Sequence, residues 1–359
     1  MPFMQRCNLL PSAPEPMTEN SQSVKELSGS RVLVTGATGF TGTVLTGKLV
    51  ALGAQVVAIA RSEPPAGLRD LSIRWVKGQV YDPAVVAEAM RGVSYVFHVA
   101  AAYREAGMAD EVYRNVHVTS TQLIAQAALK EPAFRRLIHV STVGVHGHIE
   151  QPPADETAPF HPGDIYQQTK LEAETWLRDC ANRHPLDYTI IRPAAIMGPD
   201  DSRLLKIFKL ATKPVFPLLG YGKCLYHLIH VEDLTDAMLV AAMHPQARGE
   251  AFIVGNNEPV RLEDLGRLVA QTLGYPFRPL RIPVTPFFWA AALCEGLCKP
   301  FGWAPPLHRR RVAFFTKDRA FNTAKLRTRL GFEPRYSNER GIVETAQGYV
   351  ARGWLKSRV

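Results

Sequence analysis

The chain has 359 residues and a formal net charge of +9, because 42 lysine and arginine residues outnumber 33 aspartate and glutamate residues. Its 46% hydrophobic and 21% charged residues are typical of a globular protein and exclude a disordered or fibrous one. The basic residues are spread along the chain apart from Arg309–Arg311, and aromatic residues do not alternate with them. We therefore expect a small-molecule ligand, which could be anionic, and no nucleic-acid partner.

The cysteine content and the absence of a long apolar run indicate the compartment. The chain has five cysteines, an odd and low number without a C-x-x-C pair: Cys7, Cys180, Cys224, Cys294 and Cys298. Such usage favours a reducing cytoplasm over a disulfide-bonded secreted protein. Residues 1–29 are rich in proline and polar side chains and lack the pattern of a secretory signal, so we interpret them as a flexible tail.

Strand-like and helix-like segments alternate over the first 200 residues. Short β-branched runs predict strands at 31–35, 54–60, 73–76, 95–100, 137–141 and 188–192. Helical spacing predicts helices at 43–52, 82–91, 116–129 and 164–182. Strands that alternate with helices across short loops form βαβ units, so the prediction is an α/β, doubly wound parallel-sheet Rossmann fold.

The regular alternation weakens after Gly198-Pro199, which suggests a second, smaller C-terminal substrate-binding domain. We assign 30–199 and 225–255 to the cofactor-binding Rossmann domain, and 200–224 and 256–359 to the substrate-binding domain. The chain therefore crosses back once from the substrate-binding domain to the Rossmann domain. Within the latter, the apolar, aromatic-rich segment 284–301 is interpreted as a substrate-pocket helix. A peripheral membrane contact through this segment is the alternative and is not favoured.

A glycine-rich turn connects the first predicted strand to the first predicted helix. Gly36, Gly39 and Gly42 are spaced G-x-x-G-x-x-G in the run TGATGFTG. Glycines allow a tight turn and close approach of the backbone to a pyrophosphate, and the helix N-terminus offers unpaired N–H groups to the anion. This turn therefore predicts a dinucleotide site.

The end of the second predicted strand distinguishes the two nicotinamide cofactors. An acidic residue at this place binds the ribose hydroxyls of NAD, whereas arginine accommodates the 2′-phosphate of NADP. Arg61 and Ser62 occupy it, although Glu63 follows closely. We expect NADP(H) to be favoured over NAD(H).

Tyr166 and Lys170 are four residues apart in a predicted helix and therefore share one face. An unperturbed tyrosine, with a pKa of about 10, is a poor acid–base catalyst at neutral pH. A nearby ammonium group favours the phenolate and lowers the tyrosine pKa toward the working range. The pair predicts a catalytic tyrosine assisted by a lysine.

Several motifs occur together in a fixed order: TGATGFTG at 35–42, HVAA at 98–101, HVSTVGVHG at 139–147, YQQTK at 166–170 and IRPAAIMGP at 191–199. In this combination the chain, over about residues 30–354, resembles the extended short-chain dehydrogenase/reductase superfamily, including its epimerase/dehydratase family. It is most similar to the branch of 3β-hydroxysteroid dehydrogenases and dihydroflavonol reductases. The resemblance also implies a homodimer.

The resemblance assigns roles to individual residues. Tyr166 is the general acid/base, Lys170 lowers its pKa and binds the nicotinamide ribose, and Thr142 hydrogen-bonds the substrate oxygen, with Ser141 as the neighbouring alternative. The cofactor-binding residues that follow are Gly36, Thr38, Gly39, Phe40, Gly42, Arg61, Ser62, Gln79, Val80, Ala100, Ala101, Tyr166, Lys170, Pro193 and Ile196. Gln79 stands where the family often has an adenine-binding aspartate.

No metal site is expected. His139, His146 and His148 are separated by strand alternation and glycines, which does not make a ligand set. His227 and His230 are three residues apart, but His230 matches a structural motif of the superfamily.

The expected substrate class depends on an asparagine that this chain lacks. Nucleotide-sugar members of the superfamily commonly carry an asparagine three residues after the sixth-strand arginine, whereas this chain has Ala195 three residues after Arg192. We therefore expect oxidation or reduction of an apolar or cyclic, steroid-like substrate. A nucleotide-sugar epimerase or dehydratase is the first alternative, Arg309–Arg311 could bind an anionic carrier, and a catalytically silent nucleotide-binding assembly subunit is the second alternative.

Overall fold

The computed structural model describes residues 25–103, 107–222, 224–301, 305 and 318–359. The predicted flexible tail extends too far, because Lys25–Leu27 form a 3₁₀ turn and the Leu27 side chain is fully buried. Leu27 is included in the fold because its apolar side chain packs in the core on one face of the sheet. The rest of that tail, with Cys7, and the Arg309–Arg311 run lie outside the described residues.

The strands of the described chain are β1 Arg31–Thr35, β2 Gln55–Ala60, β3 Ile73–Lys77, β4 Tyr95–His98, β5 Arg136–Val140, β6 Tyr188–Pro193, β7 Ala195–Met197, β8 Phe216–Leu219, β9 Leu225–Tyr226, β10 Leu228–His230, β11 Ala251–Val254, β12 Val260–Arg261 and β13 Pro279–Ile282. Seven of them form one sheet in the order β11-β6-β5-β4-β1-β2-β3, and every pairing in it is parallel. The predicted doubly wound Rossmann fold is confirmed.

The helices of the described residues are α1 Phe40–Ala51, α2 Ala66–Arg69, α3 Pro83–Ala89, α4 Asp110–Arg114, α5 Ser120–Ala128, α6 Ile165–Arg183, α7 Leu205–Ala211, α8 Val231–Met243, α9 Leu262–Thr272, α10 Thr285–Cys298, α11 Ala324–Leu330 and α12 Asn338–Ala351. The predicted helix at 116–129 differs from the structure. Asn115–Thr119 form a π-helical turn between α4 and α5, so the helical path begins earlier and widens where it passes the site.

Two apolar layers cover the sheet, one on each face. Alternate residues of the strands face opposite layers, as Leu137 and Ile138 of β5 do. One layer packs α1, α8 and α11 on the sheet, and the other packs α3, α5 and α6. Burial on both faces explains why the strands read as continuous apolar runs.

A third apolar cluster forms a separate lobe. It brings α7, α9 and α12 together through side chains such as Phe208, Leu265 and Tyr349. The sequence assigned 256–359 to this lobe, whereas Leu326 and Leu330 of α11 are buried in the sheet core beside β11. The difference arises because the apolar side of α11 packs on β11, the terminal strand of the sheet, and not on the lobe.

The segment 284–301 forms the expected helix, but much of its apolar surface is exposed. In α10, which covers most of it, Ala291 is the buried residue, and large apolar side chains point to solvent. Its interpretation as a substrate-pocket helix stays a prediction. None of the helices in the described part of the chain is long and apolar enough to cross a membrane.

A buried ion pair fastens α6 to the sheet. The Nη2 atom of Arg192, at the end of β6, lies 2.6 Å from an Oε2 atom of Glu174, and both side chains are at most 1% exposed. The arginine also donates to the Nε2 atom of His146. Removal of one partner of such a pair typically costs about 3–5 kcal/mol, because the remaining charge is left buried and uncompensated. The face of α6 that carries Lys170 is thereby held against the ends of β5 and β6.

Candidate functional site

The glycine turn is closed by contacts that only glycine permits. Gly36 has a φ of +71°, and a Cβ atom there would lie 2.8 Å from the backbone of Ala100. A Cβ atom on Gly42 would lie 2.0 Å from the carbonyl oxygen of Gly36. Gly39 is the N-cap of α1 and donates its N–H to the same carbonyl at 3.0 Å. The turn therefore points the N-terminus of α1 at the carboxyl edge of the sheet.

This arrangement could hold a dinucleotide. Glycines at 36 and 42 let the turn pack directly on the backbone of Ala100 and on itself, which sets the start of α1, with its first N–H groups, just after the carboxyl end of β1. Unpaired N–H groups and the positive end of the helix dipole favour a pyrophosphate. The residues of the turn therefore fit the cofactor predicted from the sequence.

The other predicted cofactor residues follow the carboxyl ends of parallel strands, which share one edge of the sheet. Arg61 and Ser62 follow β2 and are exposed; Gln79, exposed, and Val80, buried, follow β3; Ala100 and Ala101 follow β4; Pro193 ends β6, and Ile196 lies in β7. Thr38 is exposed on the glycine turn, and Phe40 begins α1. The fold thus brings all of them to the edge at which Tyr166 and Lys170 lie.

A directed hydrogen-bond chain fixes the Ala100 backbone against the glycine turn. The Ala100 N–H donates to Thr35 Oγ1 at 3.2 Å, and Thr35 Oγ1 is 2.7 Å from the Nδ1 atom of His98. The other ring nitrogen of His98 is 2.9 Å from Ser120 Oγ, whose hydroxyl donates to a helix carbonyl. Ser120 must then accept the Nε2–H proton, and in neutral His98 the Nδ1 atom accepts the Thr35 hydroxyl proton. Burial, with a smaller effect of Lys170, lowers the pKa of His98 to about 3.

Thr142 lies on the short turn that follows β5. Its Oγ1 atom accepts a hydrogen bond from the Gly144 N–H at 3.0 Å and caps the 3₁₀ turn Val143–His146. Its hydroxyl proton can still be donated to a substrate oxygen. The turn packs against α6, because a Cβ atom on Gly144 would be 3.1 Å from the side-chain nitrogen of Gln167. Thr142 is therefore placed next to the helical turn that carries Tyr166.

Ser141, the neighbouring alternative, has a different environment. Its side chain is 3% exposed, and its hydroxyl has no hydrogen-bond partner among the described residues. Thr142 is half-buried and Ser141 is buried, as the alternation of an extended chain requires. The half-buried position gives Thr142 the better access to a ligand.

Tyr166 lies between two aromatic rings that the sequence analysis did not single out. The ring centroids of Tyr166 and His117 are 5.3 Å apart, and those of Tyr166 and Tyr103 are 6.0 Å apart, both edge to face. Such pairs hold a ring in place without blocking its hydroxyl. No sequence pattern links these three residues, since their contact depends on how α6 packs on the π-helical turn.

The hydrogen bonds of His117 fix its tautomer. Its Nε2 atom accepts the Ala102 N–H at 3.0 Å, so the proton is on Nδ1, which is 2.8 Å from Thr169 Oγ1. Burial, with smaller contributions from Lys170 and His98, lowers the pKa of His117 to about 2. A neutral, rigid imidazole therefore supports the Tyr166 ring.

Lys170 is 2% exposed, and its Nζ atom donates to the Val140 carbonyl at 2.9 Å. Burial lowers its pKa from the ordinary 10.5 to about 8, and the Glu174 carboxylate opposes the shift. The side chain remains mostly protonated at neutral pH. It therefore supplies a positive charge one helical turn from Tyr166.

Arg203 is a further residue that the sequence analysis missed. Its guanidinium carbon lies 5.5 Å from the ring centroid of Phe40 and 5.7 Å from that of Tyr103. The Oδ1 atom of Asp201, a buried side chain, lies 2.5 Å from the Nε atom of Arg203. Arg203 thus connects the cofactor turn to the aromatic side of Tyr166. In the sequence, this position is marked only by the charged D-x-R pattern at 201–203, which follows the Gly-Pro pair after β7.

Three other buried histidines of the described residues have structural contacts. His146 is hydrogen-bonded to Arg192, the Nε2 atom of His227 is 2.6 Å from the Asn256 carbonyl, and His230 stacks on Tyr336. His139 is buried beside His98, and burial lowers its pKa well below the usual range. Within the described ranges, no group of three or more His, Cys, Asp or Glu side chains could hold a metal ion.

The sheet order and the glycine turn define a Rossmann-type nucleotide-binding protein. The model of the NAD dependent epimerase/dehydratase family matches residues 32–255. The chain therefore belongs to that family, within the extended short-chain dehydrogenase/reductase superfamily, and its activity class is nicotinamide-dependent oxidoreduction.

Individual relatives are similar over nearly the whole chain. The 4-hydroxy-2-methyl-3-oxo-4-farnesyl-3,4-dihydroquinoline-1-oxide ketoreductase of Stigmatella aurantiaca is 30% identical, over 87% of this chain and 94% of its own. The 3 beta-hydroxysteroid dehydrogenase/Delta 5-->4-isomerase of Mycobacterium tuberculosis is 28% identical, over 89% and 90%. The crystal structure of gox2253 has a TM-score of 0.79 at 26% identity and covers 91% of this chain and 100% of that one.

The glycine turn gives a test with a matched control in the same helix. Gly42→Ala places a Cβ atom 2.0 Å from the Gly36 oxygen, whereas a Cβ atom on Gly47 would meet nothing within 4 Å. We expect Gly42→Ala to weaken NADPH binding at least about tenfold, or ~1.4 kcal/mol, in a fluorescence titration. Gly47→Ala should bind like the wild type, and equal affinity of both variants would contradict the assignment.

The buried Lys170 gives a pH-dependent stability test. Its folded pKa of about 8 lies below the ordinary 10.5, so the buried charge destabilises the fold at neutral pH. This penalty is relieved as the pH rises through the interval between those two values. We expect Lys170→Met to increase the free energy of unfolding of the cofactor-free protein by up to ~3 kcal/mol near neutral pH.

Urea unfolding at a series of pH values measures the effect. The advantage of Lys170→Met over the wild type should shrink steadily above about pH 8, in the direction that proton linkage requires. Lys130→Met, which removes an exposed lysine, is the control. A wild type that is more stable than Lys170→Met at neutral pH would show that burial of the ammonium is not costly.

Proposed function

We propose that this protein is an NADP(H)-dependent oxidoreductase that interconverts a hydroxyl and a ketone on an apolar or cyclic, steroid-like substrate. One observation carries the proposal. Tyr166 and Lys170 occupy the same face of α6, with the turn of Thr142 packed against that helix and the glycine turn at the same edge of the sheet. This is the set of groups that carbonyl reduction requires.

The residues of the chain supply the proton and the charge. In the reducing direction, Tyr166 donates its phenolic proton to the carbonyl oxygen, and Thr142 donates a hydrogen bond to the same oxygen. Lys170 stabilises the phenolate that remains, since its ammonium lies one turn away. When bound, the reduced nicotinamide supplies the hydride. In the oxidising direction the phenolate accepts the proton of the substrate hydroxyl.

The apolar substrate class rests on the composition of the site. Ala195, half-buried at the start of β7, cannot donate the side-chain hydrogen bond that an asparagine would give to a nucleotide sugar. The 45%-exposed Tyr103 ring offers aromatic surface beside Tyr166, and Arg203 connects it to the Phe40 ring. The names of the two relatives above describe a steroid and a farnesylated quinoline as substrates, which supports this choice.

The preference for NADP(H) rests on Arg61. The residue is exposed immediately after β2, where a 2′-phosphate would lie beside the glycine turn. A guanidinium can form charge-assisted hydrogen bonds with that phosphate. The adjacent Ser62 hydroxyl offers a further donor.

Tyr166→Phe tests the catalytic role. The variant keeps the ring between His117 and Tyr103 but removes the proton donor, so turnover should fall by about 10²–10⁴-fold while NADPH binding is retained. The assay follows NADPH fluorescence with a panel of steroid, alicyclic and linear ketones. Tyr275→Phe, in the other lobe, is the control. Full activity of Tyr166→Phe would refute the assignment, and tight binding without any turnover by the wild type would favour an assembly subunit.

Arg61→Ala tests the cofactor preference. Loss of the charge-assisted contact should weaken NADPH binding by about ten- to a hundredfold and leave NADH affinity almost unchanged. Arg69→Ala, which removes an exposed arginine on the nearby α2, should change neither. Equal affinity of the wild type for NADPH and NADH would contradict the preference.

A further inference from the structure

Helix α10 presents an unusual apolar face to solvent. Trp289, Leu293 and Leu297 are 74%, 65% and 62% exposed, and their i, i+4, i+8 spacing places them in one row. Apart from the chain-terminal Val359, these are the most exposed large apolar side chains in the described ranges. Single exposed apolar residues are ordinary, but a contiguous row of large ones marks an interaction surface.

The part of the lobe next to this α10 face is strongly basic. This part consists of α7 and β8 at 205–219, and of β13 with α10 at 278–299, and β13 pairs with β8. Its charged residues are Lys206, Lys209, Lys213, Arg278, Arg281, Lys299 and the single acidic Glu295, so six positive charges minus one give +5 of the net +9. Glu263 of the adjacent α9 pairs with Arg281 and offsets one of these charges, and the four lysines are exposed.

The positive charge of the lobe distinguishes between two candidate partners of the α10 face, a second copy of the chain and a lipid surface. A second copy of the chain in a symmetric contact would bring two basic lobes together, which repel each other. An anionic lipid surface attracts the same charges, and tryptophan and leucine enter the boundary between headgroups and acyl chains. The basic lobe therefore favours lipid.

We propose that the α10 face docks on an anionic phospholipid membrane, with the helix lying in the plane of the interface. Its 14 residues span about 21 Å at about 1.5 Å per residue. This length is less than the hydrocarbon core of about 30 Å, so the helix lies on the membrane and does not cross it. Electrostatic attraction and the inserted side chains together provide the two signals that stable peripheral binding needs.

The docking places the substrate-side lobe next to the lipid phase. The lobe is joined to the catalytic edge through β7, which follows β6 directly and pairs with β10. An apolar substrate dissolved in the membrane would then reach the lobe without crossing water. The binding itself does not depend on the proposed reaction, so the two proposals can fail separately.

Vesicle flotation with the purified full-length chain tests the docking. We expect the wild type to float with vesicles of equal parts phosphatidylcholine and phosphatidylserine, and to float much less with phosphatidylcholine alone or at high salt. The combined change Trp289→Ser, Leu293→Ser and Leu297→Ser should reduce binding at least about tenfold. Val112→Ser with Val359→Ser, which removes exposed apolar residues elsewhere, should bind like the wild type.

A second variant separates docking from misfolding. Lys206→Glu, Lys209→Glu and Lys213→Glu change exposed positions of the lobe and leave the α10 face intact, and they should also weaken binding to the anionic vesicles. NADPH titration and thermal unfolding verify that each variant is folded. The proposal is overturned if the wild type ignores anionic vesicles or if the triple serine variant floats equally well. It is also overturned if that variant only converts a dimer into a monomer in sedimentation.

Discussion

The catalytic helix is held in place by a charge pair that water cannot reach. Arg192 at the end of β6 and Glu174 on α6 are both buried, and Glu174 lies one turn beyond Lys170. Because an unpaired charge in this position would be costly, α6 cannot rotate or slide along the sheet without breaking the pair. The direction in which Lys170 and Tyr166 point therefore depends on it.

Around this anchor, buried histidines serve as rigid spacers. His98 joins β1, the loop after β4 and α5, while His117 joins the π-helical turn to α6. Burial keeps both neutral, so they can occupy the interior beside an ammonium group. The buried Lys170 charge is the destabilising element that remains, and it lies where the proposed chemistry needs it, as is common in active sites.

Much of the fold could be predicted because its elements depend on local sequence patterns. The apolar runs of β1 and β2, the glycines before α1 and the spacing of Tyr166 and Lys170 each depend on a few neighbouring residues. Residues that follow parallel strands must meet at one edge, so Arg61 and Ala100 could be placed there from the chain order. The end of the predicted tail and the assignment of α11 were wrong, because burial of Leu27 and Leu326 depends on a distant sheet surface.

The sequence by itself determined the parallel sheet, the dinucleotide turn and the tyrosine–lysine pair, since each follows from periodicity or short spacing. Only the tertiary structure decided which groups surround that pair. His117, Tyr103 and Arg203 come from separate segments, and their contacts exist only after α6, the π-helical turn and the D-x-R turn have packed. The same holds for α10, because composition records that a helix is apolar, whereas packing determines whether its apolar side is covered.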